Sequence, residues 1–395
     1  MQKRSRYRQV RQLSVMVVGG LLVLAMTRAT AAQETASGLV SRAESGNLNL
    51  PTLVGTRLDG LQAYRLLDMD MDQEGQIWVG STRGRFLRYD PQTRLHRLIQ
   101  IPGGETSSCS VCVGTKVYVL GQKYPRLRVY DRVAGRWQEY AYPTRGVDFW
   151  YATPTRDRRQ LVMFNYGDRA VVFWDTETDT GSAVSYSLEG PPPGFGFLAE
   201  EGRAMYSVVS EWPYRLLKLV RLDMSAKRWS QEWAIPHSDD QIARIRPGEP
   251  DGEVLWMPHT MEGYLLAFHT GLRRWTDRMK IPGYGENFHF VGFSTRHAGL
   301  HYFSVSTFDG VEGRPHHFLN ALLVFDLKTR QFDLLRLPST GNDYHQVSYT
   351  LSAGGRLFCT GTNIRQADGS LVNGGVGDVI FWQSGRSATA KVDRP

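Results

Sequence analysis

Gly75-Gln76-Ile77-Trp78-Val79-Gly80, followed after a short loop by Phe86-Leu87-Arg88-Tyr89-Asp90 and Pro91-Gln92-Thr93-Arg94, decides the fold, because the same pattern returns along the chain. Each copy reads as strand, turn, strand, with an aromatic or apolar residue and an Asp at the strand end. The strand-end pairs are Tyr89-Asp90, Tyr130-Asp131, Trp174-Asp175, Leu222-Asp223, Phe268-His269, Phe325-Asp326 and a degenerate Phe381-Trp382. They are spaced by 41, 44, 48, 46, 57 and 56 residues. A period of this length with four short strands per unit predicts an all-β, seven-bladed β-propeller. An eighth blade would need a unit hidden in the long sixth or seventh repeat. The Asp residues at the strand ends are read as turn caps that bond nearby backbone N–H groups, not as catalytic groups.

The exits are equally regular: Ile101-Pro102, Tyr142-Pro143, Gly190-Pro191, Ile235-Pro236, Ile281-Pro282 and Leu337-Pro338. Proline has no N–H and suits the end of an outer strand. The seventh unit lacks such an exit. Asn47-Leu48-Asn49-Leu50-Pro51 resembles Asp333-Leu334-Leu335-Arg336-Leu337-Pro338, so residues 46–51 are expected to supply the missing outer strand of the last blade. Such a closure removes a sheet edge and ties the two ends of the ring together. Second-strand anchors (Trp78, Tyr118, Val162, Tyr206, Trp256, Tyr302, Phe358) and fourth-strand aromatics (Trp137, Trp229, Trp275, Phe332) are expected to fill the space between blades.

Residues 1–32 read as a signal peptide: a basic head with Lys3, Arg4, Arg6, Arg8 and Arg11, an apolar stretch from Leu13 to Met26, and the small-residue site Ala29-Thr30-Ala31. The stretch is short for a membrane span, so no stable membrane insertion is expected. The remaining organisation is one propeller domain over 33–386 and a polar tail over 387–395. The leader carries six basic residues and no acidic ones. Without it the formal charge falls from +8 to +2, with 41 basic against 39 acidic residues. Nucleic acid is therefore not an expected partner. Export to the periplasm or beyond permits disulfides. Cys109 and Cys112, however, lie three apart on a strand and point to opposite faces, and all three cysteines read as small buried residues.

In this architecture the loops entering the innermost strands and the loops joining second to third strands share one face, called here the entry face. The second-to-third loops carry Lys123, Tyr124 and Arg126; Tyr166 and Arg169; Trp212, Tyr214 and Arg215; His259; and Arg314, His316 and His317. At the innermost strands, His289 and His345 each stand 13 residues before the second-strand anchor and should occupy equivalent places near the channel mouth. Recurring Arg and Tyr on one face suit an anionic or sugar-like ligand. No cofactor is expected. A divalent metal on the histidines is the competing reading, since neutral imidazole is a good ligand, but no carboxylate accompanies them at fixed spacing. Asp68, Asp70 and Asp72 alternate along one strand and are read as a solvated turn entry.

Asp72-Gln73-Glu74-Gly75-Gln76-Ile77-Trp78-Val79-Gly80 through Arg88-Tyr89-Asp90-Pro91 resembles the propeller repeats of bacterial two-component sensor ectodomains, and is similar to streptogramin-lyase-like and kelch-like repeats. The kelch double glycine is missing from most repeats. The resemblance implies a propeller and says little about activity, because this fold hosts many functions; two functional expectations stand beside it. One is a binding protein for a carbohydrate, a small anionic ligand or a protein partner. The other is a lyase acting on a uronate polysaccharide or a lactone. There Arg126, Arg169 or Arg215 would steady the carboxylate and the enolate-like intermediate. His289 or His345 would take the proton, and Tyr166 or Tyr214 would protonate the leaving oxygen.

Overall fold

A computed structural model describes residues 40–42, 48–63, 66–81, 84–104, 107–121, 124–146, 148–190, 192–193, 196–210, 217–236, 250–259, 263–284, 290–306, 321–338, 345–363 and 377–385. It is all-β, with seven small antiparallel sheets arranged as a seven-bladed propeller. Blades 1 to 6 occupy residues 66–100, 107–141, 149–185, 196–234, 250–280 and 290–336. Blade 7 is built from strands His345–Ala353, Arg356–Asn363 and Gly377–Ser384, with Leu53–Ala63 as its outer strand. The N-terminal strand therefore closes the ring, as the missing exit predicts.

The closing segment differs from the expected one. Leu53–Ala63 pairs with Gly377–Ser384, from Leu53 opposite Ser384 to Ala63 opposite Gly377. Blade 1 accordingly begins at Leu66 rather than near residue 56. Residues 48–52 carry no strand. The Leu48 N–H donates to Asp333 Oδ2 at 3.0 Å, and Leu48 and Leu50 pack on the cluster between blades 6 and 7. The leucines thus answer to packing on Leu335 and Leu337, not to a ladder. A register shift between Leu58 and Gln62 breaks the alternation by which the true closing strand could have been read. A further three-residue strand, Val40–Arg42, runs parallel to the outer strand of blade 5.

The core consists of seven apolar clusters, each centred on a boundary between neighbouring blades. All seven second-strand anchors are buried, as are Trp229 and Phe332, while Trp137 and Trp275 are half-buried. The rings act as the expected wedges. Phe86, for example, meets Trp78, Tyr130 and Trp137 at centroid distances of 5.2, 5.5 and 5.3 Å. The Asp caps are also in place. Asp90, Asp131, Asp175, Asp223 and Asp326 each accept from the backbone N–H groups two and three residues ahead. In blade 5, His269 does part of the same work by accepting from the Leu272 N–H through Nδ1.

Candidate functional site

Of the sequence-picked residues, His289, Lys123, Trp212, Tyr214, Arg215, Arg314, His316 and His317 lie outside the described residues. His345 opens the innermost strand of blade 7, its backbone opposite Asn363. The entry-face residues whose side chains are described belong to blades 2, 3 and 5.

The blade 3 loop is firmly built. Asn165 is fully buried; its Oδ1 accepts from the Gly167 and Asp168 N–H groups, and its Nδ2 donates to Thr144 Oγ1 and the Gly146 carbonyl. Asp168 in turn accepts from the Gly146 N–H at 2.6 Å. This frame raises Tyr166 into solvent, 42% exposed. Arg169, three residues on, is exposed, donates to the Gly190 carbonyl at 2.6 Å and lies 5.6 Å from the Tyr186 ring. Its guanidinium thus braces the connection to blade 4 while remaining on the face. Arg126 stands exposed at the start of its strand.

Two of these residues differ from expectation. His259 is fully buried at the end of a second strand and does not stand in an open loop; its carbonyl accepts from the Gly263 N–H, which closes the turn tightly. Tyr124 is half-buried because it covers a residue that sequence reasoning passed over. The Arg128 guanidinium lies 3.3 Å from the Tyr124 ring centre and is 1% exposed. None of its three nitrogens has a hydrogen-bond partner among the described residues. Glu139 comes no closer than 3.9 Å, and its Oε1 already accepts from the Tyr124 hydroxyl at 2.7 Å.

A signal for Arg128 exists in the repeats. It stands three residues before the turn Asp. The same position holds Leu87, Val172, Val220, Leu266 and Leu323 in blades 1, 3, 4, 5 and 6, all buried. An arginine in that register has to be buried whatever its chemistry.

The channel is polar on one side. Asp68 and Asp72 are buried, which corrects the reading of a solvated turn entry. The inner strand of blade 1 turns these carboxylates toward blades 2 and 3. Asp68 accepts from Cys109 Sγ at 2.7 Å. Asp70 accepts from the Cys112 N–H and takes both guanidinium nitrogens of Arg158. Asp72 takes Arg132 and the Trp78 indole N–H. The three cysteines are free and buried, and burial raises all three thiol pKa values, so none is poised as a thiolate. A cavity of about 170 Å³ opens here, lined by Asp68, Asp70, Ser110, Tyr151 and Thr153 among others. Among the described residues no group of three or more His, Cys, Asp or Glu could hold a metal ion. A wider groove of about 840 Å³ lies on the face opposite the entry loops, across blades 3 to 6, with Arg156, Arg203, Arg273 and Arg296 among its walls.

No family model matches the sequence, and no curated protein matches it. Among solved structures, the chain is similar to a catalytically inactive histidine-to-alanine variant of virginiamycin B lyase from Staphylococcus aureus, crystallised with quinupristin. The TM-score is 0.62 at 12% identity, covering 84% of this chain and 99% of the other. The streptogramin-lyase side of the sequence resemblance thus returns in three dimensions, as a shared seven-bladed fold. The described residues contain no helix long and apolar enough to cross a membrane.

Proposed function

We propose that this is an exported binding propeller whose entry face takes an acidic carbohydrate. One observation carries the reading. The hydrogen-bonded blade 3 loop displays the Tyr166 ring to solvent, and the exposed Arg169, three residues on, holds its guanidinium at the Gly190 carbonyl on the same loop face. A displayed aromatic ring offers an apolar face to a sugar, and a neighbouring guanidinium selects anionic groups. Export rests on the basic, apolar and small-residue order of the first 32 residues. The test is calorimetric titration of the full chain with oligogalacturonate and with a neutral galactose oligomer of equal length. The acidic oligomer should bind at least tenfold tighter, and Tyr166→Ala should weaken it by about tenfold. Equal affinity for both oligomers would remove the reading.

A lyase is the second reading, favoured by the name of the structural neighbour and by the fold it shares with this chain. In it His289 or His345 would act as base, Arg126, Arg169 or Arg215 would steady the carboxylate, and Tyr166 or Tyr214 would serve as acid. The same titrations followed by ultraviolet absorbance separate the two. A rising C=C signal on uronate polymers or on quinupristin, lost in His345→Ala, would mean turnover. A flat trace with binding retained would leave the first reading in place.

A further inference from the structure

Arg128 is a costly side chain in the described core. A buried charge is tolerated when it is paired and hydrogen-bonded, and a buried guanidinium with only a 3.9 Å ion pair to Glu139 and no hydrogen bond among the described residues weakens the fold that holds it. Five other blades solve the same position with Leu or Val. The Tyr124 ring offsets part of the cost through a cation–π contact. It supplies no hydrogen-bond acceptor to any of the five guanidinium N–H bonds. Tyr142, the exit residue of the same blade, adds to the imbalance: its hydroxyl is buried without a hydrogen-bond partner among the described residues, burial raises its pKa, and the Arg128 charge opposes that rise.

The position is shallow as well as dry. Gly103, in the connection entering blade 2, is exposed and has φ +79°. A Cβ there would come within 3.1 Å of Arg128 Nη2 and 3.4 Å of Tyr124 Cε2. Only a residue without a side chain leaves the guanidinium one layer below solvent. On the other side Tyr124 is a half-buried cover, held among the described residues by its hydroxyl's hydrogen bond to the exposed Glu139. A fork of donors, a thin cover and a glycine beside it are the parts of an anion subsite in its closed form.

We propose that Arg128 is a carboxylate-binding residue on the entry face, exposed when Tyr124 leaves the guanidinium, and that the ligand it takes is a uronate sugar. This rests on the acidic-carbohydrate reading above and places the acid group. A planar two-oxygen anion matches the guanidinium fork. A monoanion suits the site better than sulfate or phosphate, because one cation with Glu139 3.9 Å away offers little to a second negative charge. Glu139 competes for the same guanidinium and holds the cover shut, so the site closes over itself when no ligand is present.

The test uses the full chain in chloride buffer at fixed ionic strength, read by thermal melting and by calorimetry. Galacturonate should raise the melting temperature and galactose should not. Arg128→Gln should lose the galacturonate response by at least tenfold in affinity. Glu139→Gln should tighten it several-fold, by removing the competitor and loosening the cover. Arg128→Met reports without any ligand: it should melt higher than the wild type, because it removes a buried charge that has a loose ion pair and no hydrogen bond among the described residues. A lower melting temperature for Arg128→Met would overturn the proposal, since the guanidinium would then be a satisfied structural group. So would a response to sulfate as strong as to galacturonate. If Arg128→Gln binds oligogalacturonate as the wild type does, the subsite falls and the entry-face reading stands. If the wild type binds neither galacturonate nor its oligomer, both fall.

Discussion

At the scale of single residues, the ring contains ionisable groups that pull its stability down in acid by two separate routes. His301 is fully buried, and neither ring nitrogen has a hydrogen-bond partner among the described residues. Burial, helped by the charge of Arg296 opposite it in the ladder, lowers its pKa to about 3. Burial lowers His297 as well, whose Nδ1 sits 3.0 Å from Ser352 Oγ. A histidine whose folded pKa lies below its unfolded value of about 6.5 leaves stability intact above that pH and drains it as pH falls, by at most about 1.4 kcal/mol per pH unit per group. The turn Asp residues act later. At Asp326, desolvation works against ionisation, but the bonds from Thr329 and Lys328 outweigh it and the pKa is lowered. At Asp223 the Ala226 N–H bond leads and the direction is the same. Their contribution is complete above about pH 4, the unfolded value, and is lost below it. Urea midpoints measured from pH 8 to 3 should therefore fall in two stages. His301→Phe should make the stage between about pH 6.5 and 4 shallower and leave the lower stage unchanged. An unaltered upper stage in that variant would show that His301 does not titrate with folding.

At the scale of elements, each blade meets its neighbours through both faces, and the tryptophans show how the boundaries are pinned. Trp137 Nε1 donates to the Gln100 carbonyl at 3.1 Å and Trp275 Nε1 to the Ala234 carbonyl at 2.7 Å. Both carbonyls immediately precede the apolar-Pro exits of the blade before. Trp382 Nε1 donates to the Pro338 carbonyl at 2.9 Å, within an exit itself. The exit motif is thus more than a strand terminator, since it offers the acceptor on which the next blade docks. Removing the indole should cost more where the ring is also a wedge. Trp275 is half-buried, and Trp275→Phe should cost about 1 kcal/mol, the net worth of one hydrogen bond. Trp382 is fully buried, and Trp382→Phe should cost about 2–3 kcal/mol because lost packing adds to the lost bond. Chemical denaturation of the two variants checks the order, and equal losses would mean that the indole bond, not the wedge, sets the cost. The same two-faced burial explains what sequence reading missed. Alternation in Arg126-Leu127-Arg128-Val129 reads as one wet and one dry face, which holds for an open sheet. In a ring of blades the second face is covered too, and Arg128 goes into the core with Leu127.

For the whole molecule, the repeats were legible because their signals are local: Asp caps that bond their own turn, aromatic strand ends, prolines at the exits. Those features need only a few neighbouring residues to act, so they survive in a sequence read alone. Closure and the site are different in kind. Closure joins Leu53 to Ser384 across the length of the chain, and Arg128 takes its meaning from Tyr124, Gly103 and Glu139 brought together by folding. The missing seventh exit announced that the N-terminal segment would be used, but not where its ladder begins. The boundary between blades 7 and 1 depends on that ladder. Leu58 and Leu61 fill the cluster there, with Met69, Leu87, Tyr89 and Phe381. Gln383 and Arg356 donate to the Pro91 carbonyl, and the Tyr89 hydroxyl donates to Gln383 Oε1. Without Leu53–Ala63, blade 7 keeps three strands, its third strand becomes an open edge, and the contact that holds the first blade to the last loses its apolar floor. Two truncations separate this ladder from the segment ahead of it. A chain starting at Leu48 keeps the closing strand and the Asp333 bond, and its urea midpoint should stay close to that of the chain starting at Ala32. A chain starting at Tyr64 should unfold at a much lower midpoint and over a broader range, with early proteolysis in blade 7. If the two shortened chains unfold alike, closure by Leu53–Ala63 does not hold the ring together.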